Sequence, residues 1–142
     1  MTGGEKWRQP EENSIEALVH GINFSDGVEF DLRMDCDGEL VIFHDEFVPG
    51  EGGIANRCIE NMSTSELRSN GVVVFEDLIS EPKFVESWSE VGKTVDIEIK
   101  IPHPVTKIGT DRYLGSIMER LEESIGPLGL PERTTIVSSF SP

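Results

Sequence analysis

Two short stretches of this chain carry residue types that could hold a metal ion. In Gly27-Val28-Glu29-Phe30-Asp31-Leu32-Arg33, strand alternation puts Val28, Phe30 and Leu32 on one face and Glu29, Asp31 and Arg33 on the other. At a rise of ~3.3 Å per residue the two acids stand roughly 6.6 Å apart along the strand, a spacing that suits the grip of one divalent cation. Val95-Asp96-Ile97-Glu98-Ile99-Lys100 repeats the device, with Asp96, Glu98 and Lys100 on one face. Between them Leu40-Val41-Ile42-Phe43-His44-Asp45 reads as a strand running into a histidine, a residue that titrates near neutral pH and suits proton transfer. Charge alternation on a single strand is ordinarily the solvated face of a half-exposed sheet. Two such strands with a histidine at the end of a third favour a site, because both faces of an α/β sheet are covered or enclosed.

These strands need a scaffold, and the chain has the length for one. Its 142 residues, 37% of them hydrophobic, suffice for a single domain over 1–142 with a real core. The 27 acidic against 12 basic residues give a net charge of -15, which argues against nucleic acid and anionic membrane surfaces as partners. No run approaches the ~18 apolar residues of a membrane span, and the polar start Met1-Thr2-Gly3-Gly4-Glu5-Lys6 is no signal peptide. Cys36 and Cys58 form no CxxC pair and read as free thiols in a reducing compartment, so the expected location is the cytoplasm.

Asn13, followed three residues later by Glu16, predicts a capping box, and Ile15, Leu18, Val19 and Ile22 give the helix behind it an apolar stripe that Gly21 weakens at its end. Asp35-Cys36-Asp37-Gly38 is a turn, and the next strand runs from about Glu39 to Phe43. Val48 to Asn61, rich in Gly and Pro, reads as a mobile loop. Ser63-Thr64-Ser65-Glu66 is a second capping box, and a further helix over Phe75 to Trp88 is interrupted or restarted near Pro82. A strand over Thr94–Ile101, a helix over Asp111–Ile125 carrying Leu114, Ile117, Met118, Leu121 and Ile125, and a strand over Thr134–Phe140 complete the alternation. Strands alternating with helices predict a parallel α/β architecture.

The segments Pro10-Glu11-Glu12-Asn13-Ser14, Gly27-Val28-Glu29-Phe30-Asp31, Asp37 to Asp45, Glu98-Ile99-Lys100 and Val137-Ser138-Ser139-Phe140 together resemble the glycerophosphodiester phosphodiesterase family. The resemblance covers nearly the whole chain, and it is the order and spacing of the five motifs that make it specific. It implies a partial TIM (β/α)8 barrel, about strands two to five with their helices, with Asp31, His44 and Lys100 at carboxyl ends of strands. It implies one divalent cation, Ca²⁺ or Mg²⁺, held by Glu29, Asp31 and Glu98, with His44 as one of two general acid/base histidines and Lys100 as a phosphate contact. The substrate would be a small glycerophosphodiester of phospholipid and glycerol metabolism. A glycerol hydroxyl would attack phosphorus and expel the alcohol, and water would open the cyclic phosphate to glycerol 3-phosphate.

Two departures from the family pattern stand out. Where the family carries a strand ending in His-Arg-Gly, this sequence has Met1-Thr2-Gly3-Gly4, so the second histidine and its arginine are missing. A complete barrel needs ~250 residues, which makes a segment truncated at both ends and inactive alone the economical expectation. The alternatives are an inactive relative, or metal- or phosphate-binding module, and an unrelated α/β scaffold with structural charged faces. His20 reads as a helix-surface or packing residue, and Trp7 and Trp88 as packing residues. His103, in the loop after the Glu98 strand, is open to a substrate contact. Oligomeric state is not legible.

Overall fold

A computed structural model of the chain describes residues 14–50, 55–90, 92–131 and 135–139. In chain order the strands are β1 (Gly27–Met34), β2 (Leu40–Ile42), β3 (Phe47–Val48), β4 (Arg57–Cys58), β5 (Val73–Val74), β6 (Thr94–Ile99) and β7 (Thr135–Ser139). The α-helices are α1 (Ile15–Phe24), α2 (Thr64–Ser69), α3 (Phe75–Ile79), α4 (Pro82–Trp88) and α5 (Thr110–Ile125).

Ser14 caps α1, its Oγ accepting from the Ala17 amide at 3.1 Å; Asn13, expected in that role, lies outside the described residues. Leu18 and Ile22 are buried along the expected stripe. Gly21 does not end the helix. A Cβ there would meet Val28 Cγ1 at 2.8 Å, so this glycine lets α1 lie close on β1. Ser63 and Glu66 form the expected reciprocal capping box of α2. The helix foreseen over Phe75–Trp88 is two, α3 and α4, with Pro82 in the first turn of the second.

The main sheet has the order β5-β2-β1-β6-β7. β1, β6 and β7 are parallel, whereas β2 runs antiparallel to β1 and β5 antiparallel to β2. The expectation of an all-parallel sheet is therefore corrected at β2 and β5. The turn Asp35–Gly38 returns the chain directly, and a connection that short can only close a hairpin. The Asp35 carboxylate shapes it, accepting from the Asp37 and Glu39 amides at 2.9 and 3.0 Å and from the Thr64 hydroxyl at 2.6 Å.

Phe30, Leu32, Val95, Ile97 and Ile99 pack one face of the sheet against Leu18 and Ile22 of α1, Phe75 and Leu78 of α3, Phe84 and Trp88 of α4, and Tyr113, Ile117 and Leu121 of α5. Each such buried side chain contributes ~1.5–3 kcal/mol. Trp88 also satisfies its indole N–H on Thr135 Oγ1 at 3.0 Å, tying α4 to β7. Val48–Asn61, expected as a mobile loop, instead holds part of a small hairpin, β3 with β4, and a 3-10 turn over Ile59–Asn61. Val48, Ile59, Met62, Leu67, Val72 and Val74 gather there around Val41 in a second core. Gly and Pro content concealed this, because burial depends on what lies opposite.

Gly27 begins the parallel pairing of β1 with β6, opposite Thr94. A Cβ at this position would fall 2.1 Å from the Thr94 carbonyl oxygen, and backbone cannot yield as a side-chain tip can. Gly27→Ala should destabilise the fold by about 1–3 kcal/mol in denaturant unfolding. A change within about 0.5 kcal/mol, the range of ordinary surface substitutions, would show that the pairing does not depend on this close approach.

Candidate active site

Because Glu29 pairs with Asp96 and Asp31 with Glu98, the second face of β1 and β6 carries a double row of carboxylates, continued by Arg33 on β1. Lys100 follows the last residue of β6, its amide donating to the Leu32 carbonyl at 3.0 Å. Asp31 sits within the long strand β1, yet its level matches the end of the parallel pairing, which stops at Leu32 opposite Ile99. His44 lies just beyond β2, and the hairpin brings it beside the same level, since the Phe43 amide donates to the Asp31 carbonyl at 3.2 Å. Asp31, Glu98, Lys100 and His44 thus meet in one region.

The Lys100 ammonium is 3.5 Å from Glu98 Oε1 and 3.9 Å from Asp31 Oδ1. Burial, aided by a hydrogen bond shared with Glu98, pushes the Asp31 carboxyl up from 3.8 to about 6 against the opposing pull of Lys100 and His44. One ammonium therefore leaves this acid pair short of positive charge. Glu29 is exposed on its strand, and among the described residues no three His, Cys, Asp or Glu side chains are gathered closely enough to hold a metal ion. The donor chemistry itself fits a hard cation, being carboxylate oxygen throughout, and Asp96 Oδ1 is buried beside Glu29 without a hydrogen-bond partner.

His44 is largely exposed and its Nδ1 lies 3.0 Å from Asp45 Oδ1. That contact leaves Nε2 as the nitrogen available for proton exchange. His44 and Lys100 both line a cleft of about 740 Å³, together with Arg33 and the apolar Ile101, Pro102, Pro104 and Ile108. His103 caps the turn that follows β6, its Nδ1 accepting from the Val105 amide at 3.0 Å, and its ring lies tilted against Phe47 with centroids 5.0 Å apart. His20 is exposed on α1 against Phe24, and Trp88 is fully buried, both as expected; Trp7 lies outside the described residues.

Sequence reasoning missed a buried network under the cleft. Arg33, 2% exposed, bonds Glu60 Oε2 at 3.3 Å, and Glu60 also accepts from the Tyr113 hydroxyl at 3.3 Å. The Tyr113 oxygen in turn accepts from the Met34 amide at 2.7 Å, and burial together with Glu60 pushes its pKa well above the ordinary phenol value. The four-residue spacing of Tyr113, Ile117 and Leu121 was the available signal for the tyrosine.

A profile of the Glycerophosphoryl diester phosphodiesterase family matches residues 3–142. The chain belongs to this family. A glycerophosphodiester phosphodiesterase of Caldanaerobacter subterraneus is 31% identical over 140 residues, covering 92% of this chain and 53% of that protein. The glycerophosphodiester phosphodiesterase of Parabacteroides distasonis superposes with a TM-score of 0.71 at 21% identity, over 96% of this chain and 52% of the other. A phosphodiesterase of Oleispira antarctica, solved with the product sn-glycerol-3-phosphate, matches at TM-score 0.66 and 18% identity over 94% of this chain and 53% of that one. The chain spans about half the length of these phosphodiesterases, and its fold is a partial TIM barrel. The helices packed on the apolar sheet face and the acids on the other are the outer layer and interior of that architecture. Among the described residues no helix is long and apolar enough to cross a membrane.

The raised Asp31 carboxyl sets a pH dependence for the metal-free chain. Its folded value lies above the unfolded 3.8, so the native state binds the extra proton and stability falls as pH rises from 3.8 to about 6. Asp31→Asn should therefore melt higher than the native chain above about pH 6, with the gap closing below 3.8. Melting curves that stay parallel across this range would show that the acid pair carries no such strain.

Proposed function

We propose that this chain supplies the cation-binding acids, one acid/base histidine and a phosphate-contacting lysine for divalent-metal-dependent hydrolysis of glycerophosphodiesters to glycerol 3-phosphate and an alcohol. The observation that carries this reading is the shared cleft: His44 and Lys100 line it together, and the Lys100 ammonium stands on the Asp31–Glu98 pair. Family membership and the glycerol phosphate in the Oleispira relative support the substrate class.

Glu29, Asp31 and Glu98 would hold Ca²⁺ or Mg²⁺, which when bound offsets the clustered negative charge and polarises a phosphoryl oxygen. His44, paired through Nδ1 with Asp45, takes the proton of the attacking glycerol hydroxyl or returns one to the departing alcohol oxygen. Lys100 meets the phosphate as a point charge. The second proton-transfer group has no counterpart among the assigned residues, so the 142-residue chain alone should show little or no turnover.

The test joins this sequence to a donor first strand ending in His-Arg-Gly and to the C-terminal half of the Caldanaerobacter relative. Glycerophosphodiester hydrolysis should appear with Ca²⁺ or Mg²⁺, vanish on chelation, and be lost in Glu98→Gln. A folded chimera that stays inert with every divalent metal, or turnover by the bare chain, would overturn the assignment.

A further inference from the structure

Arg33 is a guanidinium in a place where charge is costly. It is 2% exposed, and taking a cation out of water costs several kcal/mol unless its hydrogen bonds are replaced. A purely structural ion pair with Glu60 would account for one contact, Nη1 to Oε2 at 3.3 Å. Two others remain. Nη1 also donates to the Ile101 carbonyl at 3.1 Å, and Nη2 donates to the His44 carbonyl at 3.1 Å.

Those carbonyls belong to the two segments that leave the sheet for the cleft. One carries His44 beyond β2, and the other follows Lys100 beyond β6. β2 and β6 are not neighbours, since β1 lies between them, and the side chain that spans the gap comes from β1 itself. A planar guanidinium holds its donors in fixed relative directions, so one group sets the separation of two backbones in a way a lysine cannot. Glu60 anchors the fork from below and is itself held by Tyr113 of α5.

Resting on the hydrolytic reading above, we propose that Arg33 is a positioning residue whose guanidinium, braced by Glu60 and Tyr113, fixes the spacing of His44 and Lys100 across the cleft. It acts through the two carbonyls. Both of its Nη atoms are committed to them and to Glu60, so substrate chemistry is left to the residues it places.

Two variants test this in the full 142-residue chain and in the chimera. Arg33→Lys keeps a cation for Glu60 but loses the fork, and the paired Arg33→Met, Glu60→Leu replacement removes both buried charges so that neither is left alone. By hydrogen exchange, the Phe43 and Lys100 amides should lose about tenfold or more of their protection in both variants, while amides at the centre of β6 and in α4 keep native rates. In the chimera kcat should fall about 10²-fold with KM little changed, the signature of misplaced groups rather than lost binding. Unchanged protection at Phe43 and Lys100, or a uniform loss across sheet and helices, overturns the positioning role. An inert chimera with native Arg33 refutes the hydrolytic reading alone, and the exchange experiment still decides the role of Arg33.

Discussion

His44→Ala, introduced into the completed barrel, should lower kcat for glycerophosphodiester hydrolysis by about 10²–10⁴-fold, the usual contribution of one general acid/base group. The imidazole is exposed at the cleft, so its removal leaves no cavity in the core and should not lower the melting temperature. Divalent-cation binding should persist as well, because the acids assigned to the ion stand on β1 and β6. Asp45→Asn should cost less, since it removes only the partner that orients the ring through Nδ1. A His44→Ala variant retaining more than about a tenth of native kcat would show that the proton passes elsewhere.

Arg33→Ala should be the most damaging single change to stability, at about 3–5 kcal/mol, because it leaves the Glu60 carboxylate buried without its cation. The His44 and Ile101 carbonyls lose their donors in the same step. Against a typical total of about 5–15 kcal/mol, that loss brings the chain close to unfolding under ordinary conditions. The paired Arg33→Met, Glu60→Leu change should recover most of it, since replacing a whole buried ion pair with apolar side chains is often neutral. Thermal or denaturant melts of the two variants decide the matter. A single variant within about 1 kcal/mol of native would mean that Glu60 finds water or another donor when Arg33 leaves.

The acid rows were legible because strand alternation has a period of two, and residues two apart share a face whatever the rest of the fold does. That Asp31 faces Glu98 was not legible, since register between distant parallel strands depends on the whole crossover between them. The antiparallel course of β2 could have been read. Only the turn Asp35–Gly38 separates two strand patterns, and a parallel return needs a dozen residues or more. The second core around Val41 and the burial of Glu60 had no such local sign, because Gly and Pro density says where a chain bends and nothing about what it bends over. Arg33 was visible on the charged face, but its three partners come from three separate segments.

The β1–β2 hairpin also divides the assembly of the site in time. Asp31 and His44 are joined by a tight turn, and hairpins of this kind close in about 1–10 μs. Glu98 and Lys100 reach Asp31 only when β6 docks beside β1, a closure that spans everything from Met34 to Thr94 and is correspondingly slower. On a ribosome, the histidine would lie beside its strand acid before the second acid and the lysine had been synthesised. The crowded carboxylates of Asp31 and Glu98 would then come into being only at that later step, together with the ammonium that accompanies them.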